Sequence, residues 1–104
     1  MTRKAILKKI LKAEISGEYK FYHCYNTIVL KKRVDNENES TLTIFISGSL
    51  ITITSELCRH GIRINSNTIF AELIKNINFF NIENCGDFIY FIFSSFGKEK
   101  KFKF

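Results

Sequence analysis

Proline is absent from this chain, and so are the features that usually divide a polypeptide into parts. There is no Pro/Gly-rich linker, no internal repeat and no low-complexity block. At 104 residues the expectation is one domain with one core. Long apolar runs are missing too. The longest, FIYFIF at 88–93, falls far short of the roughly 20 residues a bilayer-spanning helix needs, so no membrane partner is expected. The opening MTRKAILKKILKAEIS begins with positive charge like a secretory signal, yet Lys8, Lys9 and Lys12 interrupt any apolar stretch within it. The expected location is therefore cytoplasmic. Cysteine is scarce: Cys24, Cys58 and Cys85 are an odd number without the density of a disulfide scaffold, and they read as reduced, buried thiols. Also lacking are a glycine-rich phosphate loop, a G-x-S-x-G elbow, a C-x-x-C pair and catalytic carboxylates at a useful spacing. These absences point away from an enzyme and give no cofactor or metal to expect.

What the chain does have is apolar and aromatic bulk. Hydrophobic residues make up 45% and aromatic residues 14%, with eleven Phe, which is the composition of a packed globule and not of a disordered chain. Ile, Asn, Lys and Phe together account for 48 of the 104 residues, as an AT-rich coding sequence tends to produce. That bias is compatible with a phage or another mobile element.

Thr2 is placed to cap a helix over 2–15, with Ile6, Leu7, Ile10 and Leu11 at helical spacing and Gly17 available as its stop. From Tyr19 the pattern changes to period two, a strand that continues through TIVLKKR after a bulge or turn near Asn26. DNENES at 35–40 reads as an exposed loop, and TLTIFISGSLITITS at 41–55 as a hairpin turning at Gly48 and Ser49. A second helix is expected after a cap at Asn65, Ser66 or Asn67, because Phe70, Leu73, Ile74 and Ile77 fall at i, i+3, i+4 and i+7. DFIYFIFSSF, starting after Gly86, reads as a strand buried on both faces. The order α-β-β-β-α-β predicts an α+β fold: one mainly antiparallel sheet of about four or five strands with two helices packed on it. Residues 98–104 read either as an edge strand, Phe102 and Phe104 inward with Lys101 and Lys103 outward, or as a basic tail.

The formal charge is +6, and its distribution is uneven. Residues 1–16 carry +4 through Arg3, Lys4, Lys8, Lys9 and Lys12 against Glu14, and residues 97–104 carry +3 through Lys98, Lys100, Lys101 and Lys103 against Glu99. The remaining 80 residues sum to −1, with one local cluster at Lys31, Lys32 and Arg33. Lys4, Lys8 and Lys12 lie along one helical line, suited to a phosphate backbone or simply to solvent.

Two function classes follow. The first is a small non-catalytic basic protein that contacts RNA, DNA or a nucleoprotein complex through those cations, positioned on the backbone without reading sequence. The second is a phage or mobile-element accessory protein that inhibits or modulates a host protein by direct contact. Homodimerisation is compatible with either, since a sheet so rich in Ile and Phe has an edge or face to cover. Two minor chemical readings remain. Glu56, Arg59, His60 and Arg63 are the residue types of a metal-independent ribonuclease, and His23, Cys24, Cys58, His60 and Cys85 are metal-ligand types at no zinc-binding spacing.

Overall fold

The computed structural model describes residues 1–12, 19–85 and 88–104. The expected helix stop at Gly17 and strand start at Gly86 lie outside the described residues, as does Glu14. Among the described residues there is one α-helix, α1 (Arg3–Lys12), and eight strands: β1 (Tyr19–Cys24), β2 (Thr27–Arg33), β3 (Asn38–Ser47), β4 (Leu50–Arg59), β5 (Ile62–Leu73), β6 (Ile77–Cys85), β7 (Phe88–Ser95) and β8 (Lys98–Lys103). The strands form two antiparallel sheets, ordered β1-β2-β3-β4-β5 and β6-β7-β8. This corrects the expectation of a single four- or five-stranded sheet carrying two helices: the fold is mostly β. The chain divides into two compact units, one of Met1–Gly17 with Glu72–Phe104 and one of Glu18–Ala71.

The expected second helix is where the correction originates. The β-branched Ile62, Ile64, Thr68 and Ile69 favour extended backbone, Asn65 and Asn67 disfavour a helix interior, and residues 62–73 form β5. The chain then makes a single 3₁₀ turn at Ile74–Asn76 before entering β6. Phe70, Ile74 and Ile77 are all buried, although they belong to a strand end, a turn and a strand start. Leu73, the remaining member of the expected stripe, is exposed, so the spacing arises from separate elements and not from one helical face. The Glu72 carboxylate secures this corner by accepting hydrogen bonds from the Leu73 N–H (3.0 Å), the Asn76 amide (3.1 Å) and the Ser95 hydroxyl (3.3 Å).

In the five-stranded sheet the register fixes one apolar face. Leu30 stands opposite Leu42, Ile28 opposite Ile44, Ile44 opposite Ile53 and Ile46 opposite Ile51, and all of these side chains are buried. Alternate residues, including Thr43, Thr52 and Thr54, take the other face, as the period of two requires. The β3–β4 turn is the two-residue loop Gly48–Ser49, with Gly48 at φ +58. Positive φ at the first central residue alone is the geometry of a type II′ turn, which matches the twist of the flanking strands. The loop expected at 35–40 is shorter than read, because β3 begins at Asn38. Asp35 closes it by accepting from the backbone N–H groups of Glu37 and Asn38, both at 2.8 Å.

In the other unit Phe80, Phe91 and Phe93 are buried, with Ile6 and Ile10 of α1 and Ile77 and Ile89 of the sheet. Thr2 caps α1 by accepting from the Ala5 N–H at 3.1 Å. Of the expected apolar line only Ile6 and Ile10 are buried; Leu7 is half-buried and Leu11 is exposed. Residues Lys98–Lys103 are ordered into β8, and the half-buried Phe102 ring stacks on Phe91 with centroids 5.0 Å apart. Phe104 extends the pairing through two 2.8 Å backbone hydrogen bonds with Ile89.

Candidate polyanion-binding surface

Both ends of the chain belong to the same unit. By sequence it holds ten lysines and arginines against five carboxylates, a formal +5, whereas the other unit holds six against five, +1. The uneven charge of the linear sequence thus becomes an uneven charge between two folded bodies.

Within the charged unit the lysines fall into two groups. The first surrounds α1, which lies along β6. Lys8, Lys9 and Lys12 line a shallow cleft with Asn81 and Ile82 of that strand, and among the described residues no carboxylate lines it. Lys9 is committed to structure: its ammonium donates to the Phe80 carbonyl at 2.8 Å and sits 5.5 Å from the Phe79 ring centroid. The Met1 ammonium donates likewise to the Ile77 carbonyl. β6 pairs with a strand on one side only, so these two cations satisfy edge carbonyls that would otherwise need water. Lys8 and Lys12 are exposed, as are Lys4 and Arg3 further along the helix.

The second group is on β8, where pairing with β7 separates the four lysines. Lys103 is opposite Tyr90 and Lys101 opposite Ile92, whereas Lys100 is opposite Phe93 and Lys98 opposite Ser95. Lys101 and Lys103 therefore share a sheet face with Tyr90, and Lys100 takes the alternate side with Phe102. Each of the first two lies against an aromatic ring, Lys101 at 4.5 Å from the Tyr90 centroid and Lys103 at 3.8 Å from that of Phe88. Such cation–π contacts hold the ammonium groups in place while leaving them in solvent. Phe88 itself is exposed.

Asn81 connects the two groups. It lines the α1 cleft, and it stands in register with Ile92, which in turn stands opposite Lys101. The strand that lines the cleft and the strand that carries the second group are thus about two strand spacings, roughly 10 Å, apart in one small sheet. Phe88, Tyr90 and Asn81 were not among the residues singled out from sequence. The signal for the two aromatics was the period-two alternation of FIYFIF, which puts Phe88 and Tyr90 on one face.

The remaining cluster, Lys31, Lys32 and Arg33, is on β2 in the other unit. Lys31 is opposite Lys20, a like-charge pairing, and lies 3.8 Å from the Glu39 carboxylate and 5.7 Å from the Tyr22 ring centroid. Glu39 also stands opposite Arg33, so this cluster is partly neutralised where it sits.

The other chemistry-bearing residues have local partners. Glu56 and Arg63 form an ion pair at 3.3 Å, and the Arg59 Nε–H donates to the Asn38 side chain at 3.0 Å. His60 occupies the β4–β5 turn at φ +49, with its backbone N–H donating to the Glu37 carbonyl at 3.1 Å. The cysteines are free, but not buried as expected: Cys24 and Cys85 are exposed and Cys58 is half-buried, because each sits near the end of a strand. The His23 Nε2 pairs with the Tyr25 carbonyl at 2.9 Å. Among the described residues no three His, Cys, Asp or Glu side chains gather as a metal-holding group. No described helix is long and apolar enough to cross a membrane. No family model, curated protein sequence or solved structure matches the chain.

Proposed function

We propose that this is a small non-catalytic binding protein that contacts a polyanion, RNA, DNA or a nucleoprotein complex, through the unit formed by its two ends. The observation that supports the reading is the gathering of Arg3, Lys4, Lys8, Lys9, Lys12, Lys98, Lys100, Lys101 and Lys103 into one compact body of formal charge +5. Lys8 and Lys12 in the cleft, and Lys101 and Lys103 against their rings, are its phosphate contacts. Lys103 and Lys101 already lie over the Phe88 and Tyr90 rings, so the contact is assigned to the phosphate backbone and not to base stacking. Lys9 acts in the fold, not in the contact. No base-reading motif accompanies these cations, so binding follows charge and not sequence.

Fluorescence anisotropy with labelled single-stranded RNA and DNA tests this. The paired variants Lys8→Glu/Lys12→Glu and Lys101→Glu/Lys103→Glu are each expected to weaken binding at least tenfold, and Lys31→Glu to matter much less. Equal affinity of all variants refutes the assignment.

The second reading, an accessory protein that modulates a host protein, draws on two turn apices. Tyr25 is 89% exposed at φ +51 and Phe96 is 75% exposed at φ +53. Large aromatic side chains are disfavoured both in that backbone region and in open solvent, and a protein contact gives each a use. Association with a host protein that persists after nuclease treatment and in high salt selects this reading over the first.

A further inference from the structure

Every open sheet exposes two edges, and the four edges of the two sheets formed by the described residues are handled in different ways. β6 is covered by α1, with the Met1 and Lys9 ammonium groups on its carbonyls. β8 carries Lys98, Lys100, Lys101 and Lys103, whose mutual repulsion opposes pairing with another copy of itself. β1 is short, and its Lys20 already stands opposite Lys31. β5 is the longest of the described strands, with 12 residues, and residues 62–68 of it are exposed on both faces.

That exposed stretch, IRINSNT, has no proline and one charge, Arg63. The charge is turned inward along the sheet, since Arg63 is ion-paired at 3.3 Å with Glu56 of the neighbouring β4. Ile62 and Ile64, 68% and 49% exposed, are side by side on one face. A long, nearly uncharged edge rich in β-branched residues is a template for another strand.

We propose that this edge pairs antiparallel with the β5 edge of a second copy, making a two-fold dimer with one continuous sheet across the interface. The choice of a second copy rests on self-complementarity of charge. A two-fold axis anywhere between Ile64 and Asn67 leaves Arg63 opposite an uncharged residue, any of those from Asn65 to Ala71. The same operation on β8 sets lysine against lysine. Seven exposed residues on each side are far fewer than the roughly 20–30 of a standard interface, so the dimer is weak and concentration-dependent.

Sedimentation equilibrium of the full chain over a roughly hundredfold concentration range tests the proposal. The wild-type chain is expected to fit a monomer–dimer equilibrium. Ile64→Lys, which sets two cations near the axis, is expected to raise the dissociation constant at least tenfold, about 1.4 kcal/mol, with an unchanged far-UV circular dichroism spectrum. Ser66→Lys, at another exposed position, repeats the test if Ile64→Lys disturbs folding. Tyr22→Lys on β1 is expected to leave the dimer intact. A wild-type chain that stays monomeric, a dimer indifferent to both β5 lysines, a dimer lost with Tyr22→Lys, or open-ended polymers in place of a dimer each overturn the proposal.

Discussion

Phe102→Ala is expected to cost this protein about 2–3 kcal/mol of stability. The ring is half-buried and packs against two others, Phe91 at 5.0 Å and 7° between planes and Phe93 at 6.0 Å and 60°. Removing a fully buried Phe ring costs about 3–5 kcal/mol, including the cavity left behind. Phe102 keeps some solvent contact and lies on an edge strand that can partly relax, which lowers the figure. At this chain length each kcal/mol moves the melting temperature by about 4–5 °C, so a drop of about 10 °C is expected by circular dichroism. Lys98→Ala, an exposed change on the same strand, is expected to stay within about 0.5 kcal/mol of wild type. If Phe102→Ala melts like Lys98→Ala, residues 98–103 do not dock as a strand, and the placement of Lys101 and Lys103 beside their rings fails with it.

Phe96→Asn is expected to stabilise the fold by about 0.5–1 kcal/mol, because Phe96 and Gly97 at φ +53 and φ +72 form a turn that Asn-Gly suits far better; urea unfolding reads the gain. Lys9→Met is expected to lose about 1–2 kcal/mol by removing the charged donor to the Phe80 carbonyl, whereas Lys8→Met leaves urea stability unchanged and weakens polyanion binding. Asp35 is held below the ordinary carboxylate range by the Asn38 side-chain hydrogen bond first, then by the N–H groups of Glu37 and Asn38. A depressed folded pKa contributes stability above the unfolded value of about 3.9, and that contribution is lost as pH falls through the folded value. The melting-temperature gap between wild type and Asp35→Asn is therefore expected to narrow below about pH 4, and a gap constant from pH 7 to 3 contradicts the assignment.

The β3–β4 hairpin was legible in the sequence because three signals agreed: β-branched runs on both sides, two residues between them, and glycine at the one turn position that needs positive φ. The Thr2 cap was legible for a similar reason, since a side-chain acceptor there has no competing role. The corner at 70–77 was misleading because apolar spacing alone does not distinguish a helix from a strand, a 3₁₀ turn and another strand. His60-Gly61, a residue followed by glycine, is itself a hairpin signal, and it joins β4, which runs to Arg59 beyond the expected hairpin end at 55, to β5, which occupies the span expected to be helical. Which lysines share a face could not be read from spacing on two distant segments. It depends on the β7–β8 register, and a one-residue slip would exchange Lys101 and Lys103 for Lys100 and Lys98.

The most direct test of the polyanion reading is the salt dependence of binding to a short single-stranded oligonucleotide. With Lys8, Lys12, Lys101 and Lys103 each neutralising one phosphate, the slope of log K against log salt is expected near −3, falling to about half that when either pair is replaced by glutamate. No measurable binding at low salt, or a slope near zero, contradicts the account.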